Sequence, residues 1–254
     1  MEEKVRVSMV GYLNAVPFIY GIEHHKVNKK ILISKDIPSE CARKLLNNEA
    51  DIGLVPVAVI PQLKGFEIIG KTCIGAIGKV ASVLLCSDVP LPEIKNIFLD
   101  FHSRTSVALV QVLSKNYWKI KPEFIAAPIH FIDEIKDTTA GIIIGDRTFN
   151  LKREFKYTYD LSEEWYQFTG LPFVFAVWVA RKGLNVELLK DFEEALQYGL
   201  NKKQIVIDEC QHVFLDSFDV ANYLNNSIQY KLDDEKRRGM ALFLNYLKKD
   251  NVTQ

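Results

Sequence analysis

Short apolar runs alternate with amphipathic stretches along most of the chain. This alternation is typical of α/β proteins with mainly parallel strands. The apolar runs predict strands over residues 5–10, 31–34, 51–55, 81–86, 97–100, 141–144 and 173–180. The amphipathic stretches predict helices over residues 17–22, 39–46, 103–114, 160–168, 186–200, 205–210 and 235–249. The pattern therefore indicates an α/β fold.

The middle of the chain reads as a second α/β unit inserted into the first. A segment with two prolines at residues 87–92 predicts a crossing out of the first lobe, and the apolar strand at 173–180 predicts the return. We expect lobe one to comprise residues 1–87 and 179–254, and lobe two residues 88–178. Ligands of open α/β sheets bind beyond the carboxyl ends of the strands, so the residues that follow each strand are the candidates for a site.

Charge and cysteine content exclude several kinds of partner. Lys plus Arg and Asp plus Glu both number 32, so no overall field attracts nucleic acid or an anionic membrane, and an anionic ligand needs a local site. The four cysteines are scattered without a C-x-x-C pair, which predicts neither a disulfide frame nor a zinc site. The N-terminus lacks the features of a signal peptide, and no run is long and apolar enough to span a bilayer, so we expect a cytoplasmic protein.

Two uncharged polar residues follow or interrupt predicted strands in the first lobe. Asn14 comes just after the first strand, where it either caps the next helix or holds a substrate hydroxyl or carboxylate through its amide. Ser82 lies in an apolar run, where it is either a buried hydroxyl bonded to backbone or part of a site. No G-x-S-x-G motif surrounds Ser82, so a covalent serine mechanism is unsupported.

The sequence DFHSRTS at residues 100–106 leaves a strand and enters a helix. Free backbone N–H groups and the helix dipole at such a start favour an anion. Arg104 can add charge-assisted bonds to a carboxylate, or remain solvated while Ser103 only caps the helix. His102 is either a loop histidine or a base.

Two further segments place polar groups near strand ends. Asp146 and Arg147 follow the predicted strand at 141–144 and either pair with each other or face the cleft. Thr169 and Gly170 form a turn into the next strand, and either present polar backbone to a ligand or serve only as a hinge. The chain contains no P-loop, G-x-G-x-x-G, H-E-x-x-H or calcium-loop motif.

Six segments together resemble the chorismate dehydratase family of the futalosine route to menaquinone, across nearly the whole chain. They are VGYLNAVPFIYGIE (10–23), ADIGLVPVAVI (50–60), ASVLLCS (81–87), LDFHSRTSVALVQVL (99–113), IIGDRTF (143–149) and TGLPFVFAVW (169–178). Each segment is weak alone, but six in the family's order are specific.

The resemblance implies a two-lobed periplasmic-binding-protein-like fold of type two, with the active site in the cleft between the lobes. It implies conversion of chorismate to 3-[(1-carboxyvinyl)oxy]benzoate and water, a carbon–oxygen lyase reaction, with no cofactor and no metal. The family's catalytic asparagine and serine fall on Asn14 and Ser82. The expected substrate-binding residues are Tyr12, Ser103, Arg104, Thr105, Ser106, Asp146, Thr169 and Gly170.

Two aspects of the mechanism stay open at this level. The motifs offer no obvious protein base, so our hypothesis is that a substrate carboxylate takes the ring proton, with His102 or Asp146 as the competing base. Arg147 stands where the family often has a small or apolar residue, which leaves its contact with substrate undecided.

Two alternative functions share the predicted scaffold. One is a non-catalytic solute-binding protein, and the other is the sister enzyme that forms 1,4-dihydroxy-6-naphthoate in the same pathway. In every case we expect a small-molecule ligand, here the dianion chorismate, and a monomer or homodimer that binds neither nucleic acid nor membrane.

Overall fold

The computed structural model describes residues 4–214 and 218–252. In chain order, the first half contains β1 (Val5–Val10), α1 (Val16–Glu23), β2 (Ile31–Asp36), α2 (Pro38–Leu46), β3 (Ile52–Pro56), β4 (Phe66–Ala76), β5 (Val83–Ser87), β6 (Asn96–Leu99), α3 (Arg104–Leu113) and β7 (Glu123–Ala126). The second half contains β8 (Thr139–Ile144), β9 (Tyr157–Asp160), α4 (Leu161–Thr169), β10 (Phe173–Arg181), α5 (Val186–Asn201), α6 (Lys203–Phe214), α7 (Val220–Asn222), β11 (Gln229–Lys231) and α8 (Asp234–Asp250).

The strands form two mixed sheets. The larger has the order β11-β4-β10-β3-β1-β2, and the smaller has the order β7-β6-β8-β5-β9. Parallel pairing is confined to β1 with β2 and β3, and to β6 with β7 and β8. The expectation of mainly parallel strands fails for β10 and β5, which run antiparallel to both of their neighbours. β5 enters the smaller sheet directly from β4 of the larger sheet, without the helical crossover that a parallel connection requires, and β10 enters the larger sheet from α4.

Sheet membership differs from the expected lobe boundaries by a few residues. β5 belongs to the smaller sheet although it precedes the predicted boundary at 87/88, and all of β10 belongs to the larger sheet although the predicted return is at 178/179. The chain turns between the sheets before β5, where Gly78 and Ala81 have φ angles of 71° and 64°. The division into lobes stays a prediction, and we propose crossings at residues 77–82 and 170–172.

Several strands were not predicted because their polar residues interrupt the apolar pattern. The clearest is β4, whose middle holds the exposed residues Gly70 and Lys71. Gly70 has a φ of 68°, a conformation that glycine adopts readily. The parts of β4 before and after these two residues both pair with β10, and the register shifts between the two parts.

The helix that follows the first strand packs against α5 with the two backbones in contact. A Cβ atom at Gly199 would lie 1.9 Å from the carbonyl oxygen of Pro17, and one at Gly21 would lie 2.1 Å from the carbonyl oxygen of Ala195. Glycine at both positions is therefore what lets α1 and α5 approach this closely. The contact fixes α1, and α1 begins two residues after Asn14.

We expect Gly199→Ala to destabilise the protein by about 1–3 kcal/mol, because the added methyl group must push α1 and α5 apart. Chemical denaturation of the two proteins measures this difference in the free energy of unfolding. Gln197→Ala, on an exposed turn of the same helix, is the matched control and should stay within about 0.5 kcal/mol of the wild type. Equal stability of the two variants would contradict the close helix contact.

Candidate functional site

A cavity lies where the carboxyl ends of β1, β3 and β8 meet, and it is lined from both sheets. Its empty volume is about 530 Å³, counting the part open to solvent. Its walls are mostly apolar, with Val10, Pro38, Pro56, Ile74, Val80, Val83, Ile144, Gly145, Phe175 and Ala176. Its polar lining consists of Tyr12, Asn14, Ser82, Ser103 and Ser106.

Asn14 lies in a short 3-10 turn, Leu13–Ala15, between β1 and α1. Neither the turn nor α1 is capped by a side chain, so capping does not explain Asn14. Its backbone oxygen accepts a 2.9 Å hydrogen bond from the hydroxyl of Tyr230. Its side-chain Oδ1 is buried and has no hydrogen-bond partner among the described residues. A buried acceptor without a partner is costly, so a ligand group in the cavity is its natural partner.

The turn that carries Asn14 is tied to the other sheet by a carboxylate. Asp146, in the turn after β8, accepts the backbone N–H of Leu13 with both oxygens, at 3.1 and 3.2 Å. Burial raises the pKa of Asp146, and the hydrogen bond from Leu13 opposes that rise. The structure thus uses Asp146 to hold the Asn14 turn, and its side chain does not line the cavity.

Ser82 lies in the crossing segment just before β5, not inside a strand as expected. It is 2% exposed, and its Oγ accepts a 2.8 Å hydrogen bond from the hydroxyl of Tyr223. Its backbone oxygen accepts a bond from the N–H of Gly145. The alternative that backbone alone satisfies the Ser82 hydroxyl is therefore not observed.

The start of α3 points two serines at the cavity. Ser103 caps the helix by accepting the N–H of Ser106 at 3.1 Å, and the two hydroxyl oxygens are 2.9 Å apart. The N–H groups of Arg104 and Thr105 have no acceptor within residues 4–214 and 218–252. These free N–H groups and the positive end of the helix dipole suit a carboxylate.

Two neighbours of these serines do not reach the cavity. The guanidinium of Arg104 makes no hydrogen bond or ion pair in the described part of the chain, and it is not part of the cavity wall. The Thr105 side chain is buried and accepts the N–H of Ala58 at 3.2 Å, which joins α3 to the turn after β3. Its observed contact is structural, and we leave both residues out of the inner site.

A second set of polar residues, Tyr12, His102, Arg147 and Asp100, lies beside the cavity. The Tyr12 hydroxyl lies 3.1 Å from Nδ1 of His102. Burial, with smaller effects of nearby charges, raises the pKa of Tyr12 to about 12. Burial and the positive charge of Arg147 lower the pKa of His102, so the imidazole is neutral at neutral pH. Arg147 forms an ion pair with the fully buried Asp100, so the alternative in which it pairs with Asp146 is not observed.

Thr169 and Gly170 end α4 and do not line the cavity. The hydroxyl of Thr169 donates to the carbonyl oxygen of Trp165 at 2.8 Å, and it accepts the N–H of Leu171. Gly170 has a φ of 69° and forms the C-cap of the helix. Of the two roles considered for this turn, the structure supports the hinge and helix-ending role.

Two tyrosines from the C-terminal region contact residues of the site, and no sequence pattern indicates them. Tyr223 contacts Ser82 across 141 positions of sequence, and Tyr230 contacts Asn14 across 216. Neither residue follows a predicted strand of the first lobe or belongs to one of the six matching segments. Only the folding of the chain brings them next to Ser82 and Asn14, which line the cavity.

The described residues contain neither a metal-binding cluster nor a membrane-spanning helix. No cluster of three or more His, Cys, Asp or Glu side chains there is arranged to hold a metal ion. Among the same residues, no helix has the length and apolar character to cross a membrane.

Comparisons with known sequences identify relatives of this chain. A sequence profile for a family described as menaquinone biosynthesis matches residues 5–249. A chorismate dehydratase from Thermus thermophilus is 28% identical, with 82% of this chain and 83% of that protein aligned. A chorismate dehydratase from Campylobacter jejuni is 32% identical over 44% of this chain and 50% of that protein.

Solved structures similar to this one show the fold. A structural-genomics protein from Archaeoglobus fulgidus superposes with a TM-score of 0.75, at 15% identity, with 98% of each chain covered. The periplasmic aliphatic sulphonate binding protein of Escherichia coli superposes with a TM-score of 0.61, at 13% identity, covering 99% of this chain and 94% of that one. A Candida albicans gene product described as having the generic periplasmic binding protein fold gives 0.65, at 12% identity, covering 99% of this chain and 92% of that one. The expected periplasmic-binding-protein-like fold is confirmed.

The charge of Arg147 is expected to control the ionisation of His102. Arg147→Gln removes a cation that lowers the His102 pKa, so this pKa should rise towards or above 6.5. Titration of the imidazole resonances by NMR measures the change. Arg104→Gln is the matched control, because Arg104 is not among the charges that act on His102, and it should leave the pKa unchanged. An unchanged His102 pKa in Arg147→Gln would contradict this electrostatic arrangement.

Proposed function

The chain belongs to the menaquinone biosynthesis family, and we propose that it is a chorismate dehydratase of that route. It converts chorismate to 3-[(1-carboxyvinyl)oxy]benzoate and water, as a carbon–oxygen lyase without a cofactor. The two chorismate dehydratases that it resembles support this assignment.

The observation that carries the proposal is the pair formed by the unpartnered Asn14 Oδ1 and the Ser82 hydroxyl in one cavity. Both groups are uncharged, and both hydrogen-bond well to a hydroxyl group. Asn14 follows β1 of the larger sheet and Ser82 precedes β5 of the smaller sheet, so a ring held in the cavity is oriented by segments that adjoin both sheets. Fixed orientation of this kind can supply a large part of a rate enhancement.

The carboxylates of chorismate need a local positive field, since the chain has no net charge. We assign one carboxylate to the first turn of α3, where the free N–H groups and the hydroxyls of Ser103 and Ser106 supply donors. Tyr12 lines the same cavity and stays protonated near neutral pH, with its hydroxyl 3.1 Å from Nδ1 of His102.

The reaction breaks a ring C–H bond and the ring C–O bond to the hydroxyl, and it forms the double bond that makes the ring aromatic. We propose that a substrate carboxylate takes the ring proton and that the proton and the departing hydroxide leave as water. The two protein groups considered as competing bases are engaged elsewhere. Asp146 accepts the N–H of Leu13 with both oxygens, and Nδ1 of His102 contacts the Tyr12 hydroxyl.

Two other features of the expected function remain proposals. We propose that the protein works in the cytoplasm, because three of its four cysteines are buried as free thiols, as is usual in a reducing compartment. We also propose that it acts as a monomer or homodimer. Cell fractionation and light scattering of the purified protein test the two statements.

A solute-binding role is the alternative that the fold itself favours, because the fold is that of solute-binding proteins. Incubation of the protein with chorismate, followed by chromatography for the benzoate product, separates the two functions. Tight binding without turnover would favour the solute-binding role.

Parallel incubation with cyclic dehypoxanthine futalosine tests the sister synthase, and formation of 1,4-dihydroxy-6-naphthoate would favour that enzyme.

We expect Asn14→Ala and Ser82→Ala each to lower kcat for chorismate by about 100-fold, since each removes a group that stabilises the departing oxygen or orients the ring. Steady-state assays of product formation measure the effect. Thr169→Ala is the control, because its hydroxyl ends α4 outside the cavity, and its kcat should stay within about twofold of wild type. Near-normal turnover by both site variants would refute the assignment of the site.

A further inference from the structure

We propose that Tyr223 is a positioning residue that turns the hydroxyl proton of Ser82 into the cavity, towards the oxygen that leaves the substrate. This inference rests on the proposed dehydratase function and assigns a role to a residue outside the matching segments. Tyr223 does not line the cavity itself, so it acts through Ser82.

The hydrogen-bonding capacity of Ser82 limits where its proton can point. A serine hydroxyl has one proton to donate and two lone pairs that accept. The Tyr223 hydroxyl occupies an acceptor position of Ser82 Oγ, at 2.8 Å. The serine proton must then point away from the tyrosine, and Ser82 is part of the cavity lining whereas Tyr223 is not.

Tyr223 is the donor and Ser82 Oγ is the acceptor of the hydrogen bond between the two hydroxyls. The neighbouring Asn14 side chain acts in the direction that lowers the pKa of Tyr223, against the larger rise caused by burial. Asn14 Oδ1 has no hydrogen-bond partner among the described residues.

The phenol also has to remain protonated to act as a donor. Tyr223 is 1% exposed, and burial raises its pKa above the ordinary value. It is therefore neutral at every pH at which the protein is expected to work, and the direction of the hydrogen bond does not change with pH.

Aromatic contacts hold the ring of Tyr223 in place. Phe149, in the turn after β8, meets the ring edge to face with centroids 5.0 Å apart, and Phe218 does so at 5.5 Å. Phe149 and Phe218 are themselves stacked at 3.6 Å. Since Phe149 follows a strand of the smaller sheet, the position of Tyr223 depends on the two sheets being packed together. Orientation of the Ser82 proton is thereby linked to closure of the cavity.

In the reaction, the ring C–H and C–O bonds break, and the electron pair of the C–H bond forms the new double bond. The ring proton goes to the substrate carboxylate and then to the departing hydroxide, so that water is released. Ser82 supplies a hydrogen bond to the departing oxygen as negative charge develops on it, and its proton is not consumed. Tyr223 increases this effect by fixing the direction of the bond before the reaction begins.

A double-mutant cycle of Tyr223→Phe and Ser82→Ala, with kcat and KM for chorismate as readouts, tests the proposal. We expect Tyr223→Phe to lower kcat by about tenfold, the loss expected for one hydrogen bond, with KM changed by less than about twofold. In the Ser82→Ala background the same substitution should have no further effect on kcat, because the hydroxyl that it orients is absent. Tyr159→Phe, which also removes one phenol hydroxyl but in the smaller sheet away from the cavity, should leave kcat unchanged.

Two results would overturn the proposal while the proposed function survives. One is wild-type kcat in Tyr223→Phe. The other is an equal loss of kcat from Tyr223→Phe with and without Ser82, which would indicate a general effect on the structure. A wild-type protein that does not convert chorismate at all would overturn the proposed function and this inference together, and that outcome is recognised before any variant is compared.

Discussion

The hydrogen bonds between the backbone N–H of Leu13 and the carboxylate of Asp146 join the two sheets at the edge of the cavity. They hold the Asn14 turn from the smaller sheet, while the Tyr230 hydroxyl holds it from the larger sheet, and no side chain caps the turn. A Cβ atom at Gly145 would lie 2.9 Å from the ring of Tyr12, so the backbone must also approach closely here. The residues that line the cavity are therefore brought together where the two sheets meet.

The chemistry of the site is that of oriented neutral donors. The buried charges nearby are compensated, since Asp100 pairs with Arg147 and Asp146 accepts backbone N–H bonds. What faces the cavity is an amide, hydroxyls and the start of a helix. Such groups hold an anion without a full opposing charge, and they need little reorganisation when charge moves onto a departing oxygen. A reaction driven by aromatisation requires chiefly orientation and this kind of stabilisation.

The candidate site residues that lie next to strand ends could be predicted from the sequence. Asn14 and the serines at the start of α3 could be predicted because a strand, a polar turn and a helix follow one another in the sequence at each position. Tyr223 and Tyr230 were not, because a tyrosine in a C-terminal turn carries no local sign of a partner 141 or 216 positions away. Thr105 and Thr169 are the opposite case. Each was expected to bind substrate, but the observed contacts of its hydroxyl are with backbone. A hydroxyl at a helix end has the same sequence pattern in both situations. The antiparallel direction of β5 and β10 was missed for a similar reason, because apolar runs do not encode which sheet a strand joins.

A crystal structure of the protein with the product 3-[(1-carboxyvinyl)oxy]benzoate tests most directly whether groups from both sheets converge on one dianion. Convergence predicts the aromatic ring between Asn14 and Ser82, each within about 3.5 Å of the ligand, and a carboxylate on the first turn of α3. Ligand bound elsewhere, such as the surface groove lined by Lys71, Lys203 and Lys231, with the cavity between the sheets empty, would contradict it.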